Sequence, residues 1–427
     1  MAVQPQANPH EGRPDQTDNA PRRRLAASLR AGFRALHIRN YRLYWLGQII
    51  SLTGTWMQTT AQGWLVLQLT HSPLALGLVT TCQFMPALLL SLFGGVIADR
   101  VAKYRLILVT QIAALTQAIM FTLLVATGAI QLWHVYLLAL ALGIINALDM
   151  PARQSFVAEL VGRELLPNAV ALNSLLFNSA RVVGPGVAGV LIAQFGVAPA
   201  FGLNAASFLA VIGGLLLMRP QEFQRTPPSR HGSVLAGIRE GLAYTWHTPA
   251  VMLIMIVMAF VGTFGYNFTV VLPLLAGFVL HTDAVGFGAL SAALGIGSLL
   301  GALTIAYTGQ VSVRRLLLGA AAFSVLLGLT AVVPILGVAL VLLAALGFAG
   351  IMFTTSANTL LQLTVPDALR GRVLSLYWML FAGSTPVGAI LIGTLAKTLG
   401  VPQTLALCAA LSLLGVGLGA AYGRRTA

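Results

Sequence analysis

Gly94-Gly95-Val96-Ile97-Ala98-Asp99-Arg100-Val101-Ala102-Lys103-Tyr104-Arg105 decides the fold of this chain. It is a short charged segment set between two long stretches, Leu74–Ile97 and Leu106–Asn146, that hold no Asp, Glu, Lys or Arg. An α-helix needs ~20 apolar residues to cross the hydrocarbon of a bilayer, so each stretch is long enough to span it. The segment between them leaves room only for a reversal of direction, which makes the two helices antiparallel neighbours. Gly94 and Gly95 lie one turn before Asp99, where missing side chains let another helix approach. Composition extends this reading to the whole chain. Of 427 residues, 57 % are hydrophobic and 8 % charged, with a mean hydropathy of +0.86. Soluble domains carry about 25 % charged residues. The apolar runs do not alternate as β-barrel strands do, so the chain is an all-α membrane protein.

Twelve spans are expected, near residues 42–68, 74–98, 104–127, 131–151, 168–194, 198–218, 250–279, 284–308, 314–333, 337–362, 372–397 and 402–422. With these spans, 23 of the 25 Lys and Arg side chains fall on one side of the membrane. Lys397 is on the other side and Arg181 is inside a span. Cytoplasmic loops collect basic residues, so both termini are expected to be cytoplasmic. The net charge of +14 is thereby spread over short loops, which suits anionic lipid and argues against a nucleic-acid partner. Residues 1–23 are expected to form a disordered cytoplasmic tail, and Leu25, Leu29, Phe33 and Leu36 the apolar face of a surface helix. Cys82 and Cys408 lie in apolar runs and are expected to be free. The first apolar run begins only near Tyr41, so no cleavable signal peptide is expected.

Short matches recur about 205 residues apart: Ala31-Gly32-Phe33-Arg34 with Ala236-Gly237-Ile238-Arg239, and Pro185 with Pro386. The expected organisation is a six-helix half at 24–218, a central cytoplasmic loop at 219–233 and a second six-helix half at 234–427. Parallel repeats of this kind place a substrate site between the halves near the membrane midplane.

Gly95, Asp99, Arg100 and Lys103 resemble the glycine-x-x-x-aspartate-arginine loop between the second and third helices of the major facilitator superfamily, with Ala102 where that pattern has glycine and Tyr104 where it has a base. Asn178-Ser179-Ala180-Arg181-Val182-Val183-Gly184-Pro185-Gly186-Val187-Ala188-Gly189 resembles the glycine-proline motif on the fifth helix of its exporters. With Asp149 to Ser174, the chain is similar to the enterobactin-exporter-like, or transmembrane secretion effector, branch. That resemblance implies the major facilitator fold, twelve transmembrane helices in two pseudo-symmetric six-helix halves. It also implies export of a small organic molecule across a bacterial inner membrane.

Gln48, Ser51, Thr55, Gln58 and Gln62 share one helix face at spacings of three and four, which is costly towards lipid and points to an aqueous cavity. Tyr266 and Asn267 on the seventh span and Asn358 on the tenth are the other cavity candidates, with Asn178 and Arg181 on the fifth. Arg181 lies too deep to snorkel easily. It is expected to bind an anionic or hydrogen-bonding group of the substrate, the alternative being a fixed bond to helix carbonyls or to Asp149. Gly95, Asp99, Arg100, Arg153 and Arg372 are expected to latch the halves, and Gly184, Pro185 and Gly189 to form a helix pivot.

The expected function is therefore secondary active export by alternating access, the substrate being drug-like or siderophore-like. An importer or uniporter is the alternative, and a polytopic membrane enzyme is less favoured, because no cluster of His, Asp, Glu or Cys collects at one membrane face. No phosphate-binding loop occurs, which excludes an ATP-driven pump within the chain. No catalytic residue, metal or cofactor is expected. The expected partners are the substrate and the bilayer, the chain acting as a monomer. Proton coupling is left open, since no carboxylate lies mid-span and only Asp149 lies within a span, near its cytoplasmic end.

Overall fold

Prolines and small polar caps start many of the helices of this chain. Pro73 stands at the first position of one while Ser72 Oγ accepts from Ala75 N at 3.4 Å, and Asp283 and Ser312 cap two others in the same way. The computed structural model describes residues 32–224, 234–309 and 311–426; the side chains of residues 91–96, 98–99, 234–237 and 424–426 lie outside the described residues. The expected tail, most of the surface helix before the first span and residues 225–233 of the central loop also fall outside them.

The helices are α1 (Arg39–Thr70), α2 (Pro73–Arg100), α3 (Lys103–Ala126), α4 (Leu132–Phe195), α5 (Ala198–Leu216), α6 (Val234–His247), α7 (Pro249–Phe260), α8 (Phe268–Leu274), α9 (Ala284–Thr308), α10 (Val313–Thr330), α11 (Leu336–Thr364), α12 (Asp367–Leu399) and α13 (Val401–Thr426). Among the described residues, ten segments are long and apolar enough to cross a membrane. Two features raise the number of spans to twelve. α4 has 64 residues, about 96 Å at 1.5 Å per residue, three times the ~30 Å hydrocarbon thickness. It is two spans joined through Gly162, whose φ of 71° and ψ of 175° depart from the helix. α1 is not among the ten because its glutamines and threonines dilute its apolar character, yet its 32 residues reach about 48 Å.

The stretch between the fourth and fifth spans corrects the sequence expectation of a loop there. Residues 152–161 continue the helix because they carry a buried apolar face of their own: Phe156, Val157, Leu160 and Val161 pack with Tyr44 and the partly buried Phe223. The Phe156 ring meets those of Tyr44 and Phe223 edge-on at 6.0 and 5.4 Å. The start of the central segment docks at the Gly162 elbow, where Gln224 N donates to Glu159 O at 2.8 Å. Asn40 clamps Arg219 from the other side, accepting from its N–H at 3.0 Å and donating to its carbonyl at 3.1 Å.

α1 to α5 pack on one another, as do α7 to α13, giving two halves. The halves meet along α2 against α12 and α4 against α9. Glycines set both crossings. A Cβ at Gly77 would lie 2.5 Å from Ala389 O, and one at Gly288 would lie 2.6 Å from Pro185 O. Both crossings are at the end away from the arginine-rich loops. Further along α2, Thr81 Oγ1 donates to Pro386 O at 3.0 Å. Towards the arginine-rich end, hydrogen-bonded polar pairs stay exposed, among them Ser174 with Asn178 on α4 and Asn358 with Gln362 on α11. The halves thus meet closely at the far end.

Candidate functional site

The polar face of α1 serves two purposes. Gln58 Oε1 accepts from Asn204 Nδ2 on α5 at 2.6 Å, and Gln58 Nε2 donates to Gln117 Oε1 on α3 at 3.3 Å. Gln117 Nε2 in turn donates to Leu138 O on α4 at 3.1 Å. Gln58 is therefore buried between four helices of one half and does not reach a cavity, contrary to expectation. Polar side chains within a bundle lose less when they bond one another than when they face lipid, and the spacing alone is the same in both cases. Gln62 Nε2 donates to Gln83 Oε1 on α2 at 3.3 Å. Thr55 Oγ1 bonds back to Ser51 O at 2.9 Å, Ser51 is buried, and Gln48 keeps its buried Nε2 without a partner.

Arg181 occupies the middle of its span, 19 residues past the Gly162 elbow and 14 before Phe195, about 28 and 21 Å along the helix. Its guanidinium lies over the indole of Trp56 on α1, 5.7 Å from the ring centroid. Among the described residues no carboxylate, hydroxyl or carbonyl bonds it. Gly184 explains the placement, because a Cβ there would lie 2.6 Å from Trp56 Cβ and 2.8 Å from Thr53 O. The missing side chain lets α4 press onto α1, one turn from where Arg181 meets Trp56. Pro185 and Gly189 face the other way, onto α9 of the opposite half. Within α4 only Gly162 leaves helical dihedrals, so Gly184, Pro185 and Gly189 lie in unbroken helix as a contact surface. The expected alternative partner of Arg181, Asp149, is engaged elsewhere: it pairs with Arg153 and accepts from Thr110 Oγ1 at 2.5 Å and Gln111 Nε2 at 3.4 Å.

From the other half, the chain opposite Arg181 is broken. α7 ends in a wide turn at Val261–Gly265, and Tyr266 and Asn267 are non-helical before α8 resumes. Tyr266 lies within electrostatic reach of Arg181. Its ring stacks on Phe323 at 5.1 Å and meets Phe268 and Phe381 edge-on, each at 5.5 Å. Asn267 is fully buried instead, donating to Thr263 O at 2.7 Å and filling the space left by Gly388 on α12. It closes the helix break and does not reach Arg181. Asn358 accepts from Gln362 Nε2 at 2.7 Å in an exposed position on α11. Trp56 is the functional candidate that sequence reasoning missed. It lies off the polar face of α1, and the only trace of it in the sequence is the glycine at 184 that makes room for it.

The expected latch is distributed. The side chains of Gly95 and Asp99 lie outside the described residues, and Arg100 is exposed at the end of α2. Arg153 is held by Asp149 one turn earlier, and Arg372 by Glu240 of α6. Lys103 bonds Glu159 at 2.5 Å and ties α3 to the helical stretch before Gly162.

Residues 30–423 match the family described as transmembrane secretion effector. The chain is 30 % identical over 375 residues to the multidrug efflux pump Tap of Mycolicibacterium fortuitum, covering 85 % of this chain and 91 % of that protein. It is 28 % identical over 359 residues to the staphyloferrin A transporter of Staphylococcus aureus, covering 82 % and 88 %. Among solved structures, a point mutant of the nucleoside transporter NupG has the same fold, with a TM-score of 0.71 at 13 % identity, covering 90 % of this chain and 99 % of that one.

Proposed function

This chain belongs to the transmembrane secretion effector family of major facilitator transporters, and on that premise we propose that it moves an anionic or strongly hydrogen-bonding organic molecule out across a bacterial inner membrane, using Arg181 as its central contact. It is a multi-pass secondary transporter that exports small molecules, and not an enzyme. One observation carries the proposal: a mid-membrane arginine at the junction of the halves, with an aromatic face beneath it and no counter-anion among the described residues. Inserting such a charge costs at least ~2.5 kcal/mol, which a purely structural arginine would recover through fixed bonds. Here the bonding capacity is kept for a transient partner. Tap and the staphyloferrin A transporter act, by their names, on drugs and on a siderophore, which supports a substrate of drug-like or siderophore-like size.

The orientation proposed is both termini in the cytoplasm, supported by the 23 basic side chains on one side. Reporter fusions after Thr226 should read cytoplasmic, and those after His71 or Thr282 periplasmic. The substrate role is tested in proteoliposomes by efflux of a panel of organic acids beside their neutral amides. Truncating one partner of a buried charge contact costs ~2–5 kcal/mol. Arg181→Gln should thus weaken export of the acids by about 30-fold or more and that of the amides less. Arg181→Lys, which keeps the charge and loses the planar fork, should fall between. Correctly inserted variants that export every acid at the parental rate would overturn the assignment.

A further inference from the structure

At the far end of the molecule, beside the glycine crossings that hold the halves together, a cleft of about 450 Å³ lies between them. Trp64, Gln68 and His71 line it from one half and Phe278, His281 and Thr282 from the other. The two histidines are equivalent in position. Each lies at the end of the first span of its half, and each takes a left-handed backbone, with φ of 48° at His71 and 46° at His281. Among the described residues these are the only non-glycine positions with positive φ. Neither is a glycine or asparagine, the residues that most cheaply end a helix this way, so the imidazole at each site is unexplained by the backbone alone.

The surroundings hold few other charges. The ends of α1 and of the segment through Val279 carry none besides the histidines, and neither do the starts of α2 and α13. α9 begins beside Asp283, whose carboxylate accepts from Gly286 N at 2.9 Å as a helix cap. Among the described residues, the remaining titratable groups at this end are His134, whose Nδ1 accepts from Gln131 N at 3.0 Å, Tyr136 near the start of α4, and Lys397 on α12.

We propose that His71 and His281 form a proton-operated gate, in which protonating both sets like charges across this cleft and shifts the protein towards the state in which the halves separate at that end. Histidine is the side chain whose charge changes between about pH 5 and 8. Any interaction of an imidazolium with the end of its own helix persists when the halves separate. The repulsion between the two does not persist, because the histidines sit on different halves. Only the repulsion differs between the two states, so only it moves the equilibrium. The sign follows: acid opens the far end and base closes it. The gate is independent of the substrate role of Arg181.

The test uses the full chain in lipid nanodiscs, with Cys82 and Cys408 replaced by alanine and spin labels at Ala129→Cys and Val332→Cys, exposed far-end positions of the two halves. Electron–electron distance distributions are recorded near pH 5.5 and near pH 8. The ratio of long to short distances should rise at least about fivefold in acid, the lower range of site-to-site coupling. His71→Asn with His281→Asn keeps residues that tolerate the left-handed cap and removes the titration, so the ratio should stay at its value near pH 8 throughout. His71→Lys with His281→Lys should hold the ratio at its acid value at both pH values. His134→Gln should leave the response intact. A parental ratio that does not change with pH, or an acid response that survives in the double asparagine variant, overturns the proposal.

Discussion

Replacing Gly288 by alanine tests how the halves close. A Cβ at residue 288 would meet Pro185 O at 2.6 Å, Gly189 Cα at 2.9 Å and Gly189 N at 3.2 Å, all backbone atoms, where ordinary contact begins at 3.4 Å. No rotamer change relieves such a contact, so α9 and α4 must part by the difference, 3.4 minus 2.6 or about 0.8 Å. Forcing an extra methyl into a packed interface costs ~1–3 kcal/mol. That cost falls only on the state in which the halves touch here, so the far-end-closed population should drop by about 5- to 150-fold relative to the open one. Gly186→Ala is the control, because nothing lies within 4 Å of a Cβ at that position. The assay is the distance distribution between labels at residues 129 and 332, beside the efflux rate in proteoliposomes. Gly288→Ala should lengthen the distances and slow export, and Gly186→Ala should do neither. If the two variants match each other and the parent in both measurements, the glycine crossing does not govern closure.

Three further outcomes are expected. Gln58→Leu strands Asn204 Nδ2, whose 2.6 Å bond it removes, and should lower stability by ~1–2 kcal/mol, the range for polar bonds between membrane helices; the thermal midpoint should fall while export per folded molecule holds, and lost export at an unchanged midpoint would instead return Gln58 to the cavity. Asp149→Asn leaves the partly buried Arg153 without its buried counter-charge, a loss of up to ~3–5 kcal/mol. Its folded yield should collapse and recover in part when Arg153→Gln is added, and a double variant no better than the single would refute the pairing. Gly162→Ala forces a side chain onto a φ of 71° and a Cβ within 2.4 Å of Gln224 Oε1, at ~1–3 kcal/mol. Unfolding monitored by tryptophan fluorescence should show that loss, and a wild-type midpoint would show that the elbow is not strained.

The fold was legible because a bilayer leaves a chain few choices. Once charge-free runs of about 20 residues are present, each must cross as a helix, and the arginine loops then determine which ends lie together. The stretch from Asp149 to Asn168 was not legible at the same level. Phe156 and Leu160 form a buried face, yet their neighbours Glu159 and Arg163 make the segment look like a loop. Arg181 stood out for the opposite reason, as a base with no business at mid-span.

Span number, the two-half repeat and the cost of Arg181 follow from the residues in order, because hydropathy and charge act locally and depend little on which helices become neighbours. The meaning of the polar face of α1 did not. Gln58 and Gln62 have the same chemistry and the same face, yet Gln58 bonds Asn204 on α5 and Gln117 on α3, while Gln62 bonds Gln83 on α2. Likewise Trp56 under Arg181, and His71 lining one cleft with His281, are meetings of residues about 125 and 210 positions apart. Helical spacing reports which side a residue is on. What lies on that side is decided only when helices pack, because close packing, and here the glycines that permit it, selects one neighbour among many that the pattern allows.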